Sequence, residues 1–190
     1  METKNIMIVG VGGQGSLLAS KMLGHLLLSE GYDVKVSEVH GMSQRGGSVV
    51  TYVRYGSKVA SPVIDRGEAD YIVSFELLEA ARWLPFLKKD GQIVTNIQQI
   101  DPMPVITGAA EYPENLVEKL QASGAKVDAL DCLKLAEEAG SSKAVNLVLM
   151  GRLSHYFDLP EDAWMRSLEA NVPAKFLELN KKAFALGRDA

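Results

Sequence analysis

The chain has 190 residues, of which 47% are hydrophobic and 23% charged, a composition typical of one globular domain with a sizeable core. Its formal net charge of −4 provides no basic field for a phosphate backbone, so nucleic acid is not expected as a partner. No apolar stretch approaches the roughly 20 residues that a bilayer span requires, and the start METKNIMIVG leads directly into a predicted strand, which favours a cytoplasmic protein without membrane association.

The first third of the chain predicts strands joined by one long helix and polar loops. The apolar run NIMIVGV, residues 5–11, is typical of a buried strand, and leucines at helical spacing predict a helix over 13–29 that Gly31 ends. Alternating residues predict further strands over 34–39 and 48–55, and a short edge strand over 59–61.

The remainder alternates strands and helices and then becomes helical. The predicted elements are a strand over 71–75, a helix over 76–88, a strand over 91–96, a connector DPMPVITG, a helix over 113–123 opened by proline, a strand over 125–130, and helices from 131 onward that break at Gly140, Pro160 and Pro173. This order predicts one three-layer α/β/α domain over residues 1–190, Rossmann-like, with a largely parallel or mixed central sheet and a helical C-terminus.

A glycine-rich turn, GVGGQG, joins the first predicted strand to the first helix. Gly10, Gly12 and Gly15 have the spacing G-x-G-x-x-G, which lets the backbone turn tightly and directs the N–H groups of a helix N-terminus at an anion. Asp33 and Glu38 lie about where an acidic group would meet a ribose hydroxyl. A tight packing turn without a ligand favours the same glycines, so both interpretations remain open here.

A second glycine-bearing segment, EVHGMSQRGGSV, follows the second predicted strand. It places His40, Ser43, Gln44 and Arg45 among glycines, where an ordinary dinucleotide domain would turn directly into a helix. Open α/β sheets bind ligands at the carboxyl ends of their strands. We therefore expect the two glycine segments to converge on one crevice, with a solvated surface loop as the alternative interpretation of the second segment.

The two segments together resemble the gamma-type domain of the 2-oxoacid:ferredoxin oxidoreductases. The resemblance is greatest to the branch in which this domain is a separate chain, the small (beta) subunit of indolepyruvate ferredoxin oxidoreductases. The later stretches GQIVTN, SSKAVNLVLMG and NVPAKFLELNKKAF are also similar to that branch. The resemblance therefore covers nearly the whole chain.

This resemblance implies a subunit that is inactive alone and takes part in the oxidative decarboxylation of 2-oxo acids, such as indolepyruvate, to acyl-CoA with ferredoxin reduction. It implies that a large partner subunit holds thiamine diphosphate, Mg and iron–sulfur clusters, that coenzyme A is the co-substrate, and that ferredoxin is reduced through the complex. Cys132 is the only cysteine, and a cluster usually needs about four thiolates, so this chain holds none with its own residues. The isolated chain is expected to be free of cofactor and can form a homodimer.

The resemblance also indicates the residues that contact ligands. The catalytic candidates are His40, as a hydrogen-bond donor or proton carrier, and Arg45, as a planar group that holds a carboxylate or phosphate. The cofactor-binding candidates are Gly10, Gly12, Gly13, Gln14, Gly15, Ser43, Gln44, Gly46, Gly47 and Asn96. The backbone amides of Gly12, Gln14 and Gly15 are the expected contacts with a phosphate of coenzyme A or thiamine diphosphate. For His40 and Gln44, a hydrogen bond that only shapes the loop is an equal alternative, and Asn96 can equally cap a turn.

Two other functions remain open from the sequence. The first is a free-standing oxidoreductase that binds NAD or a flavin at the first glycine loop. The second is a non-catalytic module that assembles a larger complex without contacting substrate. Saturable binding of NADH to the purified chain would favour the first. Activity that is reconstituted only with a large subunit, and that loop mutations impair, would favour the enzyme subunit over the second.

Overall fold

A six-stranded mixed sheet forms the centre of the computed structural model, which describes residues 2–40 and 47–190, except the side chain of His40. The strands are β1 (Lys4–Val11), β2 (Asp33–His40), β3 (Ser48–Gly56), β4 (Ala69–Ser74), β5 (Leu87–Asn96) and β6 (Lys126–Leu130). Their order in the sheet is β2-β3-β1-β4-β5-β6. Strands β1, β4, β5 and β6 are parallel, and β3 is antiparallel to both β1 and β2.

Helices cover both faces of this sheet. They are α1 (Ser16–Ser29), α2 (Leu77–Trp83), α3 (Met103–Ile106), α4 (Leu116–Ala122), α5 (Cys132–Ala139), α6 (Val145–Ser154), α7 (Glu161–Asn171) and α8 (Leu177–Asp189). Within the described residues, none of these helices is long and apolar enough to cross a membrane.

Strand β1 separates two hydrophobic cores, because successive side chains of a strand point to opposite faces. Ile6 and Ile8 pack with α1 and α5 to α8 on one face, whereas Met7 and Val9 pack with α2 and α4 on the other. All four side chains are fully buried, and burying an aliphatic side chain of this size contributes roughly 1.5–3 kcal/mol. The prediction of a three-layer α/β/α domain with a largely parallel or mixed sheet is confirmed, because five of the six strands run in one direction and β3 runs against them.

The expected edge strand over 59–61 does not form. The Val59 amide donates to Asp33 Oδ2 at 2.8 Å, and the carbonyl oxygens of Ser61 and Val63 accept from Arg54 Nη1 at 3.1 and 2.7 Å. Side chains thus bind backbone groups that a strand ladder would need.

Other boundaries also differ from the prediction, and α1 begins at Ser16 instead of 13. Helix α2 ends at Trp83, where Leu84–Phe86 forms one turn of 3-10 helix around a proline, and β5 begins at Leu87 instead of 91. The connector DPMPVITG contains α3, whose second residue is proline, a residue whose fixed φ suits the first turn. Helix α4 begins at Leu116 after Asn115, whose φ is +54°, so proline does not open it.

Helices α6 and α8 approach each other through two glycines. A Cβ added at Gly151 would lie 2.0 Å from the carbonyl oxygen of Phe184, and one added at Gly187 would lie 1.9 Å from that of Val148. Backbone therefore packs on backbone at both points. This contact requires glycine at each position, since any side chain would separate the helices.

Candidate functional site

The first glycine loop joins β1 to α1 at the carboxyl edge of the parallel strands. Gly13 and Gly15 have φ of +100° and +88°, in the left-handed region that favours glycine. A Cβ at Gly10 would lie 2.9 Å from Gln14 Oε1 and 3.0 Å from Phe75 Cβ, whereas a Cβ at Gly13 would have no neighbour within 4 Å. The loop is thus packed on one side and open on the other.

Gln14 fixes the shape of this loop from inside. Its Oε1 accepts from the Val11 amide at 2.7 Å, and its Nε2 donates to the Phe75 carbonyl oxygen at 3.0 Å. One side chain therefore joins the ends of β1 and β4. These contacts direct the side-chain amide of Gln14 inward, towards β1 and β4. The backbone N–H of Gln14 donates to the Val11 carbonyl oxygen at 3.3 Å.

The start of α1 is open to an anion. Gly15 caps this helix without a side-chain hydrogen bond, and helix N-termini carry unpaired N–H groups and a partial positive charge. The Gly12 N–H donates to another loop, whereas the amides of Gly13, Gly15, Ser16 and Leu17 have no acceptor among the described residues. Gly12 and Gln14, expected to donate to a phosphate, instead hold the loop together.

The two glycine segments meet at this edge. The Gly12 amide donates to the carbonyl oxygen of Gly47 at 2.9 Å, and β1 pairs with β3 there, Val11 opposite Ser48. The backbone of His40 ends β2 opposite Val49. The side chain of His40 and the residues Ser43, Gln44, Arg45 and Gly46 lie outside the described part of the chain.

A cleft of about 350 Å³ lies between Gly47, the end of β1 and the start of α3. Two buried carboxylates, which the sequence pattern does not indicate, line this cleft. Glu79 accepts from the Ser48 hydroxyl and pairs with Arg82 Nε at 3.0 Å. Glu76 accepts from the Ile100 amide at 3.0 Å. Glu76 lies two residues after the end of β4, and this position was the available signal for that carboxylate.

Glu76 also binds a phenol at the margin of this cleft. Its Oε1 accepts from the Tyr112 hydroxyl at 2.5 Å, and the Tyr112 oxygen in turn accepts from the Leu78 amide at 3.0 Å. Burial, followed by the hydrogen bond to Glu76, raises the pKa of Tyr112 well above its usual range. The phenol therefore stays protonated and acts as a fixed donor.

Asn96 lies at the end of β5 and is fully buried. Its Nδ2 donates to the Phe75 carbonyl oxygen at 3.2 Å, and its Oδ1 accepts from the Cys132 amide at 3.2 Å. The side chain joins β5, the end of β4 and the start of α5. Through Phe75, which also binds Gln14, Asn96 thus stabilises the packed side of the glycine loop and not its open side at Gly13.

Strand β3 separates the acidic candidates from the glycine loop. Because β3 lies between β1 and β2, the end of β2 is one strand further away than in an ordinary dinucleotide fold. Asp33 begins β2, at the opposite edge, where its hydrogen bond with Lys35 lowers its pKa. Glu38 accepts from the Ser20 hydroxyl of α1 at 2.9 Å. Within residues 2–40 and 47–190, no three His, Cys, Asp or Glu side chains cluster as a metal site would require.

Comparison with known proteins identifies the family of this chain. Indolepyruvate oxidoreductase subunit IorB of Thermococcus kodakarensis is 45% identical over 194 residues, 98% of this chain and 95% of the relative. Pyruvate oxidoreductase subunit PORC of Thermotoga maritima superposes with a TM-score of 0.76 at 20% identity, covering 100% of this chain and 97% of that one.

A third protein contains the same fold as part of a longer chain. The 2-oxoglutarate:ferredoxin oxidoreductase from Magnetococcus marinus, with 2-oxoglutarate, coenzyme A and succinyl-CoA bound, matches with a TM-score of 0.75 at 20% identity, 100% of this chain but 31% of that one. The model of one family matches residues 5–190. The chain belongs to that family, the pyruvate ferredoxin/flavodoxin oxidoreductases.

Proposed function

We propose that this chain is the small subunit of an indolepyruvate, or aryl pyruvate, ferredoxin oxidoreductase. The enzyme converts a 2-oxo acid and coenzyme A to acyl-CoA and carbon dioxide and passes two electrons to ferredoxin. The observation that carries the proposal is the 45% identity to an indolepyruvate oxidoreductase subunit over 98% of the chain. The open glycine loop at the carboxyl edge of the sheet is consistent with it.

A larger partner subunit supplies the cofactors in this proposal. It holds thiamine diphosphate, Mg and the iron–sulfur clusters, and ferredoxin is reduced through the complex. The single cysteine of this chain, Cys132, is buried, and its pKa is raised to about 12 mainly by burial, whereas a cluster ligand must be a thiolate. Alone, the chain is inactive and colourless, and it can self-associate through the surface that the partner covers.

The chain contributes groups at the edge of the active site. The amides of Gly13, Gly15 and Ser16 bind a phosphate of coenzyme A or thiamine diphosphate. His40 and Arg45 contact substrate, with Ser43, Gln44, Gly46 and Gly47 shaping their segment. Gly12, Gln14 and Asn96 position the loop.

A free-standing NAD or flavin oxidoreductase is the second candidate, because the G-x-G-x-x-G spacing precedes a helix. The position of β3 argues against it. Because β3 lies between β1 and β2, the acidic side chains of β2 are one strand further from the glycine loop than a ribose contact requires. A non-catalytic assembly module is the third candidate. In that case, loop variants would leave substrate turnover unchanged in an intact complex.

Co-expression with the large subunit tests the proposal. We expect a stable complex on size-exclusion chromatography, with an interface of about 1,600 Å² or more, and indolepyruvate oxidation with a dye acceptor only when both chains are present. Each chain alone is the control. Full activity of the large subunit alone would contradict the proposal, and saturable micromolar binding of NADH to this chain would favour the second candidate.

A further inference from the structure

The cleft beside Gly47 has a wall that is largely apolar. Its volume is about 350 Å³, within the usual range of small-ligand sites. Met103 and Ile106 of α3 are 63% and 65% exposed, so both side chains are available to a ligand that enters the cleft. The apolar lining residues are Val11, Leu78, Ile100, Pro102, Met103 and Ile106.

Glu79 lies in the same wall and has acceptor capacity left. It is 4% exposed, and its two carboxylate oxygens accept from the Ser48 hydroxyl and from Arg82 Nε. A carboxylate has about four lone-pair sites, so these two hydrogen bonds leave others for a ligand. Because the ion pair with Arg82 balances the charge of Glu79, the carboxylate can accept from an uncharged N–H group without a second cation.

The other charges of the cleft determine which end of a 2-oxo acid it can take. Glu76, which is 1% exposed, and Asp101 also line the cleft. Arg82 is the one basic side chain in this lining, so carboxylates outnumber cations there. The lining therefore repels a carboxylate or a phosphate. An uncharged ring with an N–H group suits it.

We propose that this cleft binds the aromatic ring of an aryl pyruvate and that Glu79 accepts a hydrogen bond from the indole N–H. The ring packs against Met103 and Ile106, and the 2-oxo acid end stays outside the cleft. The inference rests on the proposed function and deepens it, because it assigns the choice of aryl group to this chain. A ring without an N–H group, as in phenylpyruvate, keeps the apolar contacts only.

Two substrates that differ in one group test the hydrogen bond in the reconstituted complex. 1-Methylindolepyruvate has the indole ring but no N–H, so its KM should exceed that of indolepyruvate by about tenfold or more, because a hydrogen bond to a charged group is lost. Glu79→Ala should bring the ratio of the two KM values close to one. Both values come from one preparation, so a partial loss of folded protein does not change their ratio.

A double variant, Met103→Ala with Ile106→Ala, tests the apolar contacts. It should raise the KM for indolepyruvate and for phenylpyruvate by about fivefold or more, because the ring buries less apolar surface, while kcat changes by less than about twofold. Both side chains are exposed, so the fold should persist. Leu28→Ala is the matched control, since Leu28 is 59% exposed in the last turn of α1, and it should leave both KM values unchanged.

Three results would overturn the inference and leave the proposed function standing. They are equal KM values for indolepyruvate and its methyl analogue in the wild type, unchanged KM values in the double variant, and loss of complex formation in the double variant. The last would mark the cleft as a contact with the large subunit. No turnover of indolepyruvate by the wild-type complex would refute the proposed function itself, and this inference with it.

Discussion

Gln14 and Asn96 donate to the same carbonyl oxygen, that of Phe75, at 3.0 and 3.2 Å. Two side-chain amides thus converge at the end of β4, one from the loop that follows β1 and the other from the last residue of β5. The open face of the glycine loop depends on this support. A carbonyl oxygen has two lone pairs, so both amides can bind it at once.

We expect Gln14→Glu to destabilise the protein by about 1–3 kcal/mol. The carboxylate can still accept from the Val11 amide, but it cannot donate and lies against the Phe75 carbonyl oxygen. Urea unfolding at neutral pH measures the change. Gln121→Glu, at an exposed position of α4, is the control. Equal stability of both variants would contradict the role given to Gln14.

The glycine contact between α6 and α8 predicts a larger effect. Gly151→Ala should cost about 3 kcal/mol, because its Cβ would lie 2.0 Å from the Phe184 carbonyl oxygen and the helices would have to separate. Gly24→Ala in α1 is the matched control, since its nearest neighbour would be Val36 Cγ2 at 3.7 Å. There alanine should be neutral or stabilise by up to about 1 kcal/mol. Thermal melting of the two variants gives the comparison, and a Gly151→Ala variant as stable as wild type would be inconsistent with the packing described.

Stability should fall at alkaline pH. Burial first, and then the charges of Asp131 and Asp128, raise the pKa of the Cys132 thiol to about 12, against about 8.5 in an unfolded chain. The folded state thus keeps a proton that the unfolded state releases. This contribution is fully present below about pH 8.5 and is lost as pH rises towards 12, by up to about 1.4 kcal/mol per pH unit.

Urea midpoints between pH 7 and 11 measure this loss. Cys132→Ala should flatten the slope between about pH 8.5 and 10, where thiols of unfolded chains ionise and most phenols do not. Identical slopes in wild type and Cys132→Ala would refute the assignment. The native thiol should also react slowly with a disulfide reagent at pH 8, because the thiolate is the reactive form.

Arg45 is predicted to act in turnover. Hydrogen bonds from an arginine to a charged group contribute roughly 1.5–3 kcal/mol, so Arg45→Ala should lower kcat of the reconstituted complex by about one to two orders of magnitude. Arg45→Lys should rescue it in part, since an ammonium cannot make two parallel hydrogen bonds. Steady-state indolepyruvate oxidation gives the rates and thermal melting of the subunit is the control. Wild-type turnover in Arg45→Ala would exclude this role, and a large loss of thermal stability would indicate a structural one.

The sequence predicted the sheet strands well because their apolar runs are long and bounded by glycine or polar residues. It could not predict the position of β3 between β1 and β2, since strand order depends on contacts between distant segments. The edge strand over 59–61 failed for a related reason, because Arg54 and Asp33 bind its backbone groups from elsewhere in the chain.

The site was predicted in part. Glycine spacing located the loop and its neighbour, and the Gly12–Gly47 hydrogen bond joins them. Glu76 and Glu79 were missed because a carboxylate after a strand or in a short helix usually lies in solvent, and only the fold buries both of them beside the cleft. Asn96 was selected because it comes at the end of a predicted strand. That position does not reveal that its side-chain amide binds the backbone of both Phe75 and Cys132.

His40, at the end of β2, pairs with Val49 near the start of β3, and this is the last pair of the ladder before residues 41–46. Changes of sequence within those six residues therefore leave the eight paired positions of that ladder untouched. Loops held between fixed strand ends tolerate substitution far better than cores do. We therefore expect that exchanging this segment between relatives would leave the domain folded, so that such exchanges can test whether the segment determines substrate choice.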